Sequence, residues 1–168
     1  MTNLRTALGL IALATLTACT SPDRFGGDNS VDLNNRAGSG VGSLSANTPE
    51  YFSAAIGDRV LFAVDQSTLS PAAQQTLTAQ AQWLRENPEY NAKIEGHADE
   101  QGTRVYNFNL GERRANSVRE FLISQGVAPG RITTISYGKE RPIELCSAEA
   151  CYAQNRRAVT VVAAGLTS

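Results

Sequence analysis

The alternation of apolar and polar residues predicts four strands and three helices in the chain after residue 47. Strands typically show runs in which apolar and β-branched residues dominate or alternate with polar ones. Such runs are present at residues 59–64, 92–96, 131–137 and 157–163. Helix-like segments separate them, at residues 71–87, 105–125 and 147–154. The β-α-β-α-β-α-β order predicts an α/β fold, a two-layer sandwich in which a mixed four-stranded sheet carries its helices on one face.

Local signals support the first two helices and the last strand. Ser70 followed by Pro71 is typical of an N-cap with proline at the first helical position. Buried-type residues then recur at helical spacing, at Leu77, Ala81 and Leu84. Gly126 is a typical residue just beyond a helix C-terminus. The last strand, "RAVTVVA", is β-branched enough to predict an interior position in the sheet.

The N-terminal segment predicts export and lipid attachment. An apolar run at residues 7–16 follows Arg5. Because a membrane-spanning helix takes about 20 apolar residues, this shorter run is typical of a secretory signal. The sequence Leu-Thr-Ala-Cys that ends at Cys19 resembles the lipobox of bacterial lipoproteins, which predicts that Cys19 is lipidated. An ordinary signal peptide with a chance cysteine is the alternative interpretation.

These signals divide the chain into four parts. We expect a lipoprotein signal peptide at residues 1–18, a flexible tether rich in Gly, Ser and Asn at residues 19–47, one domain at residues 48–164 and a tail at residues 165–168. Thr20, and not aspartate, follows the cysteine. By analogy with enterobacterial sorting, this residue favours the outer membrane, with the domain facing the periplasm.

Composition narrows the classes of function. The formal net charge is −1, with 15 basic and 16 acidic residues, and this balance disfavours nucleic-acid binding. Two cysteines besides Cys19 are present, Cys146 and Cys151. Because an exported protein enters an oxidising compartment, we expect these two to form a disulfide. A zinc site is the rival hypothesis, but CxxxxC without a neighbouring histidine or further cysteine is a weak signal.

Charged residues concentrate between His97 and Arg114, around the end of the second strand and the start of the second long helix. Strand alternation predicts that His97 and Asp99 point in the same direction. Helical spacing places four residues on one face: Asn107, Leu110, Arg114 and Val118. A guanidinium on this apolar face needs an anion, and Asp99 is the nearest candidate in the sequence. The two charges predict either an internal ion pair or a split receptor for a zwitterionic ligand, and spacing alone leaves both open.

Catalysis and metal binding are disfavoured by what the sequence contains. His97 is the sole histidine, so motifs such as HExxH are absent and a metal site built on several ligands is not expected. Serine and threonine residues occur without a histidine–aspartate relay around them. We therefore expect no enzyme, cofactor or metal.

Three stretches carry a family resemblance: "IEGHADEQGTRVYNFNLGERRANSV", "ISYGKERP" and "AQNRRAVTVV". They resemble the OmpA-like family, in its branch of peptidoglycan-associated lipoproteins, over about residues 58–162. The family pattern Asn-x-x-Leu-x-x-x-Arg-Ala is present from Asn107 to Ala115. The resemblance implies non-covalent binding of peptidoglycan through the diaminopimelate of its stem peptide. Asp99 would meet the ammonium group, Arg114 the carboxylate and Leu110 the methylene chain.

The resemblance also implies secondary site residues and partners. Val64 and Asp65 are expected to line the pocket, whereas Ala63 stands where the family has an aspartate. Of Arg156 and Arg157, one is expected to support the pocket and the other to be solvated. The implied partners are TolB and TolA of the Tol-Pal system, which acts in envelope integrity and cell division. The protein is expected to be a monomer. A wall-binding lipoprotein outside that system is the alternative, and a peptidoglycan hydrolase is the unfavoured alternative of another class.

Overall fold

The computed structural model describes residues 44–165. The signal peptide, Cys19, the tether before residue 44 and the tail after residue 165 lie outside the described residues, and the predictions about them stay predictions. The helices and strands follow in this order: α1 (Pro49–Tyr51), a π-helical turn (Phe52–Gly57), β1 (Arg59–Leu61), α2 (Pro71–Glu86), β2 (Tyr90–His97), α3 (Arg104–Ser124), a 3-10 turn (Pro129–Arg131), β3 (Ile132–Gly138), α4 (Glu149–Asn155) and β4 (Arg157–Ala164).

The four strands form one mixed sheet in the order β1-β4-β2-β3. Strand β4 runs antiparallel to both β1 and β2, and β2 runs parallel to β3. The predicted fold class is confirmed, and the β-branched strand β4 takes the interior position expected of it. None of the helices between residues 44 and 165 is long and apolar enough to cross a membrane.

Helices α2 and α3 cover one face of the sheet and close the core. Their buried apolar side chains join those of the strands in one cluster, including Leu77, Leu84, Val118, Leu122, Ile94 and Ala158. The predicted caps are present. The Ser70 side chain accepts a hydrogen bond from the Ala73 N–H group, and Gly126 has a positive φ of 93° just beyond α3. Thr103 caps the start of α3 in the same way as Ser70 caps α2.

Strand β1 is shorter than the sequence predicts. It ends at Leu61 instead of Val64, although the Phe62 N–H group still donates to the Arg156 carbonyl at 2.8 Å. Beyond Phe62 the chain leaves the sheet because the carbonyls of Ala63 and Gln66 accept hydrogen bonds from Arg114 on α3. An apolar strand pattern does not reveal such a side-chain competitor.

Two glycines set the distance between α3 and the sheet. A Cβ atom built on Gly96 in β2 would lie 1.8 Å from the carbonyl oxygen of Gly111 in α3. A Cβ atom on Gly111 would lie 2.4 Å from the Ser136 hydroxyl and 2.9 Å from the Gly96 carbonyl oxygen. The helix backbone therefore touches the strand backbone, and this contact brings the first half of α3 close to the end of β2.

Candidate functional site

Arg114 lies at the centre of the candidate site and is fully buried. Its guanidinium donates three hydrogen bonds to backbone carbonyls: Nε to Gln66 at 2.8 Å, Nη1 to His97 at 2.8 Å and Nη2 to Ala63 at 3.1 Å. The Phe62 ring lies beside it, with its centroid 5.2 Å from Cζ. Because a guanidinium has five N–H groups, these three bonds leave two for another acceptor.

The surroundings of Arg114 keep it a cation at neutral pH. Its pKa is lowered to about 10, with burial as the largest cause; the carboxylates of Asp99 and Asp65 partly offset the lowering, and Arg156 adds to it. Its direct partners are neutral carbonyls. A buried cation held by neutral groups gains from an anion that it can reach.

Asp99 follows the end of β2 and is also buried. Its Oδ1 atom accepts the Gln101 N–H group at 3.2 Å, and its Oδ2 atom lies 3.1 Å from Nη1 of Arg156. Within residues 44–165, Asp99 and Arg114 do not form a salt bridge with each other. The sequence-based hypothesis of an internal Asp99–Arg114 ion pair is therefore wrong, because other groups hold each side chain.

The segment between β1 and α2 covers Arg114. Ala63 contributes through its backbone carbonyl, which a residue of any type supplies, so the loss of an aspartate side chain at this position leaves the contact in place. Val64 and Asp65 are exposed. Asp65 has a positive φ of 53°, which is uncommon outside glycine, and it accepts a hydrogen bond from the Tyr106 hydroxyl at 3.2 Å.

Asn107 and Leu110 lie in the first half of α3, and both side chains are buried. The Asn107 amide donates to the Gln101 carbonyl at 2.7 Å and so fixes the loop that follows Asp99. Leu110 is buried, and its contact with a ligand stays a prediction.

A pocket of about 330 Å³ lies beside the first half of α3. The residues that line it include Val105, Phe108, Tyr137 and Lys139 but not Asp99 or Arg114.

Comparison with known proteins identifies the family. Residues 61–157 match the model of the OmpA family. The chain is 46% identical over 156 residues to the peptidoglycan-associated lipoprotein of Brucella melitensis, in an alignment that covers 93% of this chain and 90% of that protein. The chain belongs to the OmpA family, among its peptidoglycan-associated lipoproteins. The resemblance inferred from the sequence is confirmed.

Solved structures agree with this assignment. The peptidoglycan-associated lipoprotein of Burkholderia pseudomallei is similar with a TM-score of 0.65 at 36% identity, over 69% of this chain and 100% of that chain. The C-terminal domain of MotB from Helicobacter pylori is similar with a TM-score of 0.60 at 19% identity, over 65% of this chain and 86% of that chain. The second likeness concerns the OmpA-type fold alone.

The two arginines of the Asn-Arg-Arg run in this OmpA-family domain have different surroundings, and both are buried. Arg156 contacts Asp99 and Glu149. Arg157 donates to the carbonyls of Asn155 and Arg141. The expectation that one of the pair is solvated is wrong, because the segment that contains Arg141 supplies a backbone acceptor to Arg157 and shields it from solvent.

His97 does not share the environment of Asp99, contrary to the alternation argument. The pairing of β2 with β3 shifts register between Gly96 and His97 and the strand ends there, so the alternation does not continue to Asp99. The His97 ring stacks on Tyr137 with the centroids 5.5 Å apart. Both ring nitrogens are buried without a hydrogen-bond partner among the described residues. No group of three or more His, Cys, Asp or Glu residues between 44 and 165 is arranged to hold a metal ion.

His97 should make the stability of the domain depend on pH. Burial is the main cause that lowers its pKa to about 4, and the neighbouring cations Arg157 and Arg141 contribute to the same lowering. Because the folded pKa lies below the unfolded value of about 6.5, stability is full above pH 6.5 and falls as the pH drops towards 4. The expected loss in the free energy of unfolding is about 2–3 kcal/mol.

Urea unfolding at pH 7.0 and pH 4.5 measures this effect. His97→Phe is the matched control, since it keeps a ring against Tyr137 and cannot bind a proton. Carboxylates contribute equally to both proteins, so the difference between them isolates His97. Parallel stability–pH curves for the two proteins would contradict the assignment.

Cys146 and Cys151 are joined by a disulfide, with their Cα atoms 5.8 Å apart. The enclosed residues include Glu149, a contact of Arg156 that the sequence interpretation missed. Glu149 is the first residue of α4 and Arg156 is its C-cap residue, seven positions or about two turns later, so both lie on one side of this helix. Because the predicted helix ended at residue 154, the sequence did not indicate this pairing.

Proposed function

We propose that this protein is an envelope lipoprotein whose domain binds peptidoglycan non-covalently, through the diaminopimelate of the stem peptide. One observation carries the proposal: Asp99 and Arg114 are opposite charges in one site, and neither neutralises the other. The names of the relatives give independent support for a wall-associated role. The proposal is one of binding and not of catalysis, because the described residues around these two charges include no nucleophile–base pair.

The charges of the site suit the distal end of diaminopimelate, which carries an ammonium and a carboxylate on one carbon. Asp99 uses one lone pair on each oxygen for Gln101 and Arg156, so acceptor capacity remains for an ammonium. The two free N–H groups of Arg114 suit a carboxylate. Because Arg114 is fully buried, the proposal requires the exposed Ala63–Gln66 segment to move aside before a ligand carboxylate can contact the guanidinium.

The remaining parts of the proposal come from the lipobox and from the family. Lipid on Cys19 would anchor the chain in the outer membrane, with the domain in the periplasm. The tether up to residue 47 would let the domain reach the wall. TolB and TolA are the proposed protein partners, as for the Tol-Pal system, and a pull-down with TolB separates this role from that of a wall-binding lipoprotein outside the system.

Binding should depend on the distal carboxylate of the ligand and on the charge of Asp99. A stem peptide with lysine in place of diaminopimelate leaves Arg114 without its anion, which weakens binding by about 2–5 kcal/mol. Asp99→Asn removes the partner of the ammonium and should weaken binding of the diaminopimelate peptide by about 2 kcal/mol or more. Calorimetric titration of the protein with each peptide measures both effects.

The matched control for Asp99→Asn is Glu100→Gln. It makes the same change in net charge at the neighbouring residue, and the glutamine side chain keeps an oxygen that can accept the Ser147 hydroxyl, as Glu100 does. Equal affinity for the lysine and diaminopimelate peptides, or equal loss in both variants, would count against the proposed site.

A further inference from the structure

The Arg156 guanidinium is shared between two carboxylates from different parts of the fold. Its Nη1 atom lies 3.1 Å from Asp99 Oδ2, and its Nη2 atom is paired with Glu149 Oε1. Nη1 also lies 3.5 Å from the second oxygen of Glu149. The side chain of Arg156 is 5% exposed and that of Glu149 is 67% exposed. A buried cation is therefore balanced by one acid inside the domain and another at its surface.

Glu149 changes the charge that a ligand meets at Asp99. Asp99 and Arg156 by themselves cancel, whereas the three residues together carry one net negative charge. An ammonium at Asp99 is therefore attracted more strongly when the Glu149 carboxylate is present than it would be by Asp99 and Arg156 alone. Glu149 also occupies the Nη2 atom of Arg156. Without Glu149, the Arg156 guanidinium could form two parallel hydrogen bonds with the Asp99 carboxylate.

We propose that Glu149 is a positioning residue for ammonium recognition. By holding one edge of Arg156, it prevents Arg156 from closing a two-bond fork on Asp99 and so keeps Asp99 open to the ligand. The inference rests on the proposed function, since it requires an amine-bearing ligand at Asp99. It adds to that function a reason why the site selects a ligand that carries a free distal amine.

The first turn of α4, which carries Glu149, is restrained by the disulfide. Glu149 is the first residue of α4, and the N-cap residue Ala148 offers no side-chain hydrogen bond to that first turn. The Cys146–Cys151 bond closes the chain around this turn. At the other end of α4, the Asn155 amide bonds to the backbone of Ile143 and Glu144. Removal of the disulfide should therefore loosen the hold of Glu149 on Arg156.

The test is calorimetric titration of the full chain and its Glu149→Gln variant with two stem tripeptides. One contains diaminopimelate, and the other contains diaminopimelate acetylated on its distal amine, which keeps the carboxylate. We expect Glu149→Gln to weaken binding of the first peptide about three- to fivefold, the scale of an exposed ion pair. Binding of the acetylated peptide should not change, so the preference for the free amine falls by the same factor.

Two further variants complete the experiment. Glu144→Gln removes an acid from the segment just before α4. The carboxylate of Glu144 does not contact Arg156 in the described structure, so the affinity of this variant should match that of the parent. The double variant Cys146→Ser, Cys151→Ser should shift affinity in the same direction as Glu149→Gln. Thermal melts establish that each variant is folded.

The outcomes separate the inference from the proposed function. If the parent protein binds the diaminopimelate peptide and Glu149→Gln binds it equally well, the inference is overturned and the proposed function stands. Equal loss for both peptides would mean a general structural role and would also overturn it. If the parent binds neither peptide, the proposed function itself fails.

Discussion

Gly96→Ala should cost most of the stability of the domain. The new methyl carbon would lie 1.8 Å from the carbonyl oxygen of Gly111 and 2.6 Å from its carbonyl carbon. Both are backbone atoms of α3, so no side-chain rotation relieves the overlap and the helix must move away from the sheet. We expect the free energy of unfolding to fall by about 4 kcal/mol or more, which places the change among the most destabilising single substitutions.

Chemical denaturation of the two proteins measures this loss. Gly130→Ala provides the control, since a Cβ atom there meets nothing within 4 Å and the substitution should change stability by less than about 1 kcal/mol. A folded Gly96→Ala protein with parental stability would show that α3 and β2 are not in backbone contact.

Arg114→Ala should both destabilise the domain and abolish peptidoglycan binding. The change removes more than a ligand contact, because the Arg114 guanidinium donates to carbonyls of two separate segments, Ala63 and Gln66 in one and His97 in the other. The variant leaves the buried His97 carbonyl and the part-buried Ala63 and Gln66 carbonyls without their donor, and it leaves a cavity where the Arg114 side chain was. Together these effects should lower the free energy of unfolding by about 3–5 kcal/mol.

Arg114→Lys separates the two roles. Lysine keeps the charge but cannot donate in the planar, forked pattern of a guanidinium, so it should recover part of the stability and little of the binding. Sedimentation with purified sacculi, at a temperature where both variants are folded, measures the binding. If Arg114→Ala were as stable as the parent protein, the hydrogen bonds of Arg114 to the backbone would not stabilise the fold. If it sedimented with sacculi as the parent does, Arg114 would not contribute to binding.

Much of the fold was predictable because periodicity and end signals are local. The strand and helix order, the cap at Ser70 and the terminating Gly126 follow from residues a few positions apart. The interior position of β4 follows from its β-branched composition. The close contact between Gly96 and Gly111 was not predicted, since a glycine in a strand or helix pattern does not say which backbone lies against it.

Several charged residues of the candidate site were named from the sequence, but Glu149 and the contacts between these residues were not. Asp99, Arg114 and Asn107 were all identified from spacing and from the family pattern. Their partners were not. Arg114 bonds to carbonyls, Asp99 to Arg156, and Arg156 also to Glu149.

The sequence by itself determined the order of the elements, the family and the list of charged residues near the end of β2. Only the tertiary structure decided which charge meets which acceptor and where β1 stops. The physical reason is that every residue carries a carbonyl oxygen, so a buried guanidinium has many possible acceptors that composition and spacing cannot rank. The choice depends on which distant segments the close packing of α3 on β2 brings within about 3 Å.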